Sequence, residues 1–119
     1  MNELIQSIFE NFTVDGKKIP VSFLVYEGHE TSYVTYMQQD ADNSLTGDDD
    51  LIGYVIYYDF DVYSKGNFNN IIKELKKKLK DNGFVWQPSR SSMDMFETDT
   101  RYYHKTLNFA IPKAETEET

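Results

Sequence analysis

The chain reads as one α+β domain, a mainly antiparallel sheet of four to five strands with two helices packed on one face. Three observations predict this. Two segments, one at the start and one past the middle, space their apolar residues three and four apart, as a helix buried on one side requires. The runs between and after them are rich in Val, Ile, Tyr and Phe and are joined by short polar turns, as strands of an antiparallel sheet are. A length of 119 residues allows one core and not two.

Leu4, Ile5, Ile8, Phe9 and Phe12 share one stripe, predicting an opening helix over 2–12. Asp15-Gly16 signals a turn, and after Pro20 the apolar run Val21 to Tyr26 predicts a strand over 20–27. Residues 33–39 are rich in strand formers, so the two runs are expected to pair as a hairpin across 28–32. The segment DADNSLTGDDD, 40–50, is too polar to bury itself and predicts a mobile loop. In LIGYVIYYDFDVY, 51–63, Ile52, Tyr54, Ile56, Tyr58, Phe60 and Val62 lie on one face; Gly53, Val55, Tyr57, Asp59 and Asp61 lie on the other. This is the longest strand and is expected at the centre of the sheet.

Asn67 is placed to cap a helix over 68–82 whose apolar positions are Phe68, Ile71, Ile72, Leu75 and Leu79, with Gly83 as its left-handed terminator. Lys73, Lys76, Lys77 and Lys80 mark its solvated side, or a docking surface for an acidic neighbour such as another copy of the chain. Extended structure resumes at 84–87, a short strand is expected at 93–97, and a last strand at 101–111 ends at Pro112. The domain therefore covers 1–112, and 113–119 form a disordered acidic tail.

The formal net charge of -8 opposes partners held through phosphates, so sequence-specific nucleic-acid binding is not expected. Cysteine is absent, which removes disulfides and thiolate zinc sites. The first twelve residues lack the basic start and apolar core of a signal peptide, and no run approaches the roughly 20 apolar residues of a membrane span. A soluble protein of the cytoplasm is the expectation.

Several groupings could carry chemistry. Asp40, Asp42 and Ser44 alternate like the start of an EF-hand loop, but Leu45 and Leu51 stand where its glycine and its bidentate glutamate belong. Asp59 and Asp61 share a strand face, as a magnesium site or an acid and base pair would, without a third acidic ligand beside them. His104 could act as a base oriented by Asp99 or Glu97, yet no nucleophile is matched to it. In its strand His104 shares a polar face with Tyr102, Thr106 and Asn108, while Tyr103, Leu107, Phe109 and Ile111 face the other way. No catalytic residue, metal or cofactor is assigned. Tyr57, Asp59, Tyr102 and His104 become candidate contacts for a neighbouring subunit, since tyrosine offers an apolar ring with a hydroxyl that can stay wet.

Three segments, YVTYMQQDAD, IGYVIYYDFDVYSKGNFNNIIKELKKKLKDNGF and ETDTRYYHKTLNFAI, follow the opening helix in that order. Over residues 2–111 this arrangement resembles the tail terminator (tail completion, tail-to-head joining) proteins of long-tailed bacteriophages and prophages. The resemblance is carried by Asp61-Val62-Tyr63-Ser64 at the end of a long strand, a helix closed by Gly83-Phe84, and Asp99 to Lys105 with its Tyr-His-Lys. It implies a small protomer without enzyme activity that forms a ring, typically of six copies. That ring caps the tail tube, ends tail growth and binds the head-completion or connector protein. It also implies a place at the head-tail junction of the virion, with the host cytoplasm as the site of assembly. The segment corresponding to Asp40, Asp42, Asp48, Asp49 and Asp50 is then a candidate for the ring or its channel. Another neck or tail component, such as a head-completion or tube protein, is the alternative within assembly proteins; a small metal-dependent enzyme using Asp59, Asp61 and His104 is the alternative outside them.

Overall fold

The computed structural model describes residues 2–47 and 50–114, with side chains described for all of these except 42–47, 50–52 and 114. In chain order the elements are helix α1 (Asn2–Ile8) and strands β1 (Thr13–Val14), β2 (Lys17–Lys18), β3 (Val21–Phe23), β4 (Ser32–Gly47) and β5 (Asp50–Ser64). Helix α2 (Phe68–Asp81), strands β6 (Val85–Trp86) and β7 (Met95–Glu97), and strand β8 (Tyr102–Ala114) complete them. The main sheet runs β3-β4-β5-β8-β6, with β7 paired to β8 beyond its contact with β6. Every pairing in it is antiparallel except β3 with β4. This is the expected α+β architecture, with one strand more than the expected range.

Strand β5 is central because its alternation lets each face do different work. Ile56, Tyr58, Phe60 and Val62 are buried, and the register sets them beside Val34 and Tyr36 on β4 and Leu107, Phe109 and Ile111 on β8. Both helices cover this one face, α1 through Ile5 and Ile8 and α2 through Phe68, Ile71, Leu75 and Leu79. Phe60 has no exposed surface, and the rings of Phe9, Tyr36, Phe84 and Phe109 surround it with centroids 5.7–6.4 Å away. Buried Tyr36 keeps its hydroxyl satisfied by accepting from Gln6 Nε2 at 2.8 Å and donating to Asn2 Oδ1, which ties α1 to the sheet.

Local chemistry sets the element ends. Asp15 and Gly16 both take positive φ (54° and 79°), the two-residue turn that suits the twist of β1 and β2. Helix α1 is shorter than its apolar stripe, since Asn11 turns left-handed (φ 60°), but Phe9 and Phe12 still reach the core. Helix α2 closes as expected. Gly83 (φ 87°) donates to Lys80 O and Phe84 donates to Leu79 O, and Phe84 drops into the core behind them. Asn67 stands at the N-terminus of α2, yet its side chain makes no capping bond. Its Oδ1 instead accepts from the hydroxyls of Ser32 and Ser64 at 3.3 Å each, where those residues face one another across β4 and β5.

Three expectations need correction. The run 20–27 does not form a hairpin with 33–39: Val21 pairs Val34 in parallel, so 24–31 must carry the chain back to the start of β4, leaving β3 through a left-handed Leu24 (φ 66°). The segment 40–50 is not a loop in its described part, because 40–47 continue β4 and Asp50 begins β5; Asp48 and Asp49 lie outside the described residues. Strand β8 does not stop at Pro112, which lies opposite Val55 beyond the last β6 pairing at Ala110, on a border where a missing N–H breaks no ladder among the described residues. It runs to Ala114, and 115–119 lie outside the described residues. No helix among the described residues is long and apolar enough to cross a membrane.

Phe60→Ala is expected to cost about 3–5 kcal/mol, because the surrounding rings cannot collapse into the space it leaves. Urea denaturation of the purified chain measures this. Gly83→Ala meets no atom within 4 Å, so only the left-handed backbone resists it. The same measurement should show a loss of about 1 kcal/mol.

Candidate functional site

The face of the sheet away from the helices carries the polar residues. On β5 and β8 the pairs Asp61↔Thr106 and Asp59↔Asn108 stand side by side, with Tyr63↔His104 at one end. His104 Nε2 donates to Asp61 Oδ1 at 3.2 Å, and the Thr106 hydroxyl donates to the same oxygen. The imidazole stacks on Tyr63 with a centroid distance of 4.2 Å. Asp61, two residues before Tyr63, the register partner of His104, is therefore the carboxylate that orients His104. Asp99 and Glu97 form no hydrogen bond or ion pair with it.

Tyr63 continues into a row of rings. Tyr33 stacks on it at 4.9 Å, Tyr26 stacks on Tyr33 at 4.6 Å, and Tyr102 meets both Tyr33 and Tyr63 edge-on. Tyr26 is drawn into the row from the 24–31 excursion, where its hydroxyl accepts from the Glu30 N–H at 2.9 Å. Its ring lies where any side chain at position 28 would be, so Gly28 is what lets it fold back. Burial, and then the negative charge of Asp61, raise the Tyr63 hydroxyl to about 12, and burial also raises Tyr33.

At the other end a second network ties the sheet to the segment after β6. Asn108 is fully buried; its Nδ2 donates to Asp59 Oδ1 at 2.8 Å, its N–H donates to Ser91 Oγ, and no donor among the described residues reaches its Oδ1. Arg90 lies over the Tyr57 ring at 3.7 Å, donates to Gln39 Oε1 at 3.1 Å and stands 3.5 Å from Asp40. Gln39 is free to reach it because the β4–β5 register shifts between Gln38 and Asp40, leaving Gln39 as an extra residue. The sequence carried no sign of Arg90, Gln39 or Ser91 in this role, since their partners lie far along the chain.

The predicted site residues therefore separate. Asp59 and Asp61 are engaged by Asn108 and by His104 with Thr106, Tyr57 lies under Arg90, and Tyr102 borders the ring row. Among the described residues no three His, Cys, Asp or Glu side chains converge as a metal site would need. Asp40 meets Arg90, Asp42 pairs Val55 and Asp50 pairs Gly47 along the backbone, and Asp48 and Asp49 lie outside the described residues.

On the helix side, α2 and β6 enclose an open groove of about 940 Å³. Ile72, Val85 and Trp86 line it, and Lys73, Lys76, Lys77 and Lys80 stand along it. The lysine stripe is thus not only a solvated helix face, because β6 brings an aromatic beside it. Lys76 Nζ sits 3.6 Å from the Trp86 ring centre, and Trp86 is held by a 3.1 Å bond from its Nε1 to Ser91 Oγ. Burial, and next the charge of Lys105, lower the Lys76 pKa, against the opposing pull of Asp94. Ile72 was legible as apolar; Trp86 beside the lysines was not, because a helix pattern does not show which strand its flank will meet.

No protein-family model matches the chain, and no curated protein matches it in sequence.

The raised Tyr63 hydroxyl links folding to alkaline pH. Folding holds this proton more tightly than the unfolded chain does, so its contribution is complete below about 10, the ordinary tyrosine value, and is lost as pH rises towards about 12. Urea midpoints should fall across that window, and Tyr63→Phe should flatten the fall. An equal fall in the variant would remove Tyr63 as the cause.

Proposed function

We propose that this protein is a structural component of a long-tailed bacteriophage, a tail terminator whose ring caps the tail tube, ends its growth and joins tail to head. It acts through protein contacts alone, without catalysis or a cofactor. Its partners are further copies of itself, the tube protein and a head-completion or connector protein. The proposed location is the head-tail junction of the virion, after assembly in the host cytoplasm.

The observation that carries the reading is the sheet's two unlike edges, which no further strand covers among the described residues. At one end β3 and the residue pair after it expose Phe23, Leu24 and Val25, at 46%, 54% and 65%. At the other, β6, β7 and the chain between them expose Val85, Met93, Met95 and Phe96. Exposed apolar edge strands invite pairing with another chain. When one edge differs from the other, each contact leaves a free copy of both edges, and such head-to-tail association closes into a ring if the rotation allows.

Charge supports the same reading. A ring through which DNA slides must not grip phosphates, and a chain of net charge -8 has little affinity for them. Asp40, Asp42, Asp48, Asp49 and Asp50 are proposed to belong to the ring's subunit contacts or its channel, and Tyr57, Asp59, Tyr102 and His104 remain the proposed contacts of the helix-free face.

Sedimentation velocity over a concentration series, with electron microscopy of tail tubes, tests this. The expected result is a concentration-dependent ring that Val25→Asp or Phe96→Asp abolishes while circular dichroism stays that of the parent. A monomer at every accessible concentration, with no ring on tubes, sinks the reading.

A further inference from the structure

We infer that the lysine groove between α2 and β6 receives the aspartate-rich arm of a second copy of this chain. The inference rests on the ring-forming reading and assigns one of its contacts. Lys73, Lys76, Lys77 and Lys80 line the groove, and none takes part in an ion pair among the described residues. Asp81 also lines the groove, so four lysines face one carboxylate there, in a chain with 20 acidic residues against 12 basic ones. Below these side chains lie Ile72 and Trp86, so a fitting ligand brings carboxylates for the lysines and short apolar side chains for the floor.

Residues 42–51, DNSLTGDDDL, supply both, with Asp42, Asp48, Asp49 and Asp50 beside Leu45 and Leu51. The described backbone that leads to them, β4 to Gly47 and β5 from Asp50, runs outward. Among the described residues strand β8 accompanies β5 as far as Gly53↔Ala114, while β4 and β5 continue their pairing to Gly47↔Asp50, and the molecule's long axis reaches 52 Å against 27 and 23 Å for the others. The groove lies back along the sheet, where Val85 and Trp86 pair Ala110 and Phe109. The arm therefore leads away from its own groove and towards that of a neighbour. Arm and groove are unlike surfaces, so the contact runs in one direction round a ring, as the unlike sheet edges do. It also withdraws this basic face from DNA.

Trp86 is the only tryptophan, so its emission reports occupancy of the groove. The host is the full chain carrying Asp48→Lys, Asp49→Lys and Asp50→Lys, whose own arms no longer compete. A synthetic peptide of residues 40–53 should shift Trp86 emission saturably, with affinity falling on the order of tenfold from low to physiological salt. Adding Lys73→Glu, Lys77→Glu and Lys80→Glu to the host should remove the shift; the Gln versions should weaken it if the Glu set does not fold. No shift in the host overturns the inference, and an equal shift from a scrambled peptide makes the groove a general acidic-peptide site and overturns the second-copy assignment. Unaltered rings from the Lys→Glu chain with the native arm would sink this contact and leave the ring reading standing. A native chain that stays monomeric while its host binds the peptide would overturn the second-copy assignment together with the ring reading.

Discussion

Burying the ring of Phe60 is the constraint on which the other elements depend. It lies at the middle of β5 where β4, β8, the turn after α1 and the residue after the α2 cap all meet, and each contributes an aromatic ring to its surroundings. A pleated strand can present such a residue to the core only if its neighbours in register do the same, which is why Tyr36 and Leu107 stand opposite it. The left-handed turn at Gly83 belongs to the same constraint, because it delivers Phe84 to the ring's edge. A one-residue slip of β5 would send Phe60 to the polar face and Asp59 or Asp61 into the core, so register and charge placement are fixed together.

The opposite face shows what the alternation leaves available. Its carboxylates are occupied within the protomer, Asp61 by His104 and Thr106 and Asp59 by Asn108, and its tyrosines stack on one another. This is a surface built for shape and rigidity. Arg90, wedged over Tyr57 beside Gln39 and Asp40, fixes the root of the outward hairpin to the segment that follows β6. Two distant parts of the chain thereby share one fixed geometry, the arm and the edge that carries β6.

Much of the fold was legible in the sequence because it is written in local periodicity. The stripe from Phe68 to Leu79, the terminator at Gly83, the turn at Asp15-Gly16 and the alternation through 51–63 each depend on residues within one or two turns of each other. What escaped depends on partners. Nothing in Val21-Ser22-Phe23 reveals that its neighbour will be parallel, and the polarity of 40–47 describes solvation while concealing that β5 offers it a ladder. Asn67 has the right chemistry for a cap, but two serines across the sheet compete for its oxygen. The polar site was half readable. Asp59, Asp61 and His104 stood out as residue types, whereas their actual partners Asn108 and Thr106, and the clamp from Arg90, follow from a strand pairing that no short motif encodes.

The position of β8 has a consequence in time. The last described strand of the chain is also an interior strand of the sheet, with β5 on one side and β6 and β7 on the other. During synthesis, β6 and β7 have nothing to pair with until residues 102–114 emerge, and Leu107, Phe109 and Ile111 are missing from the core until then. A chain still being made therefore has β3, β4 and β5 before it can form the opposite edge. Release of a chain stopped before residue 102 would leave that edge unformed and three core residues missing, so completion of the sheet waits on the last described strand.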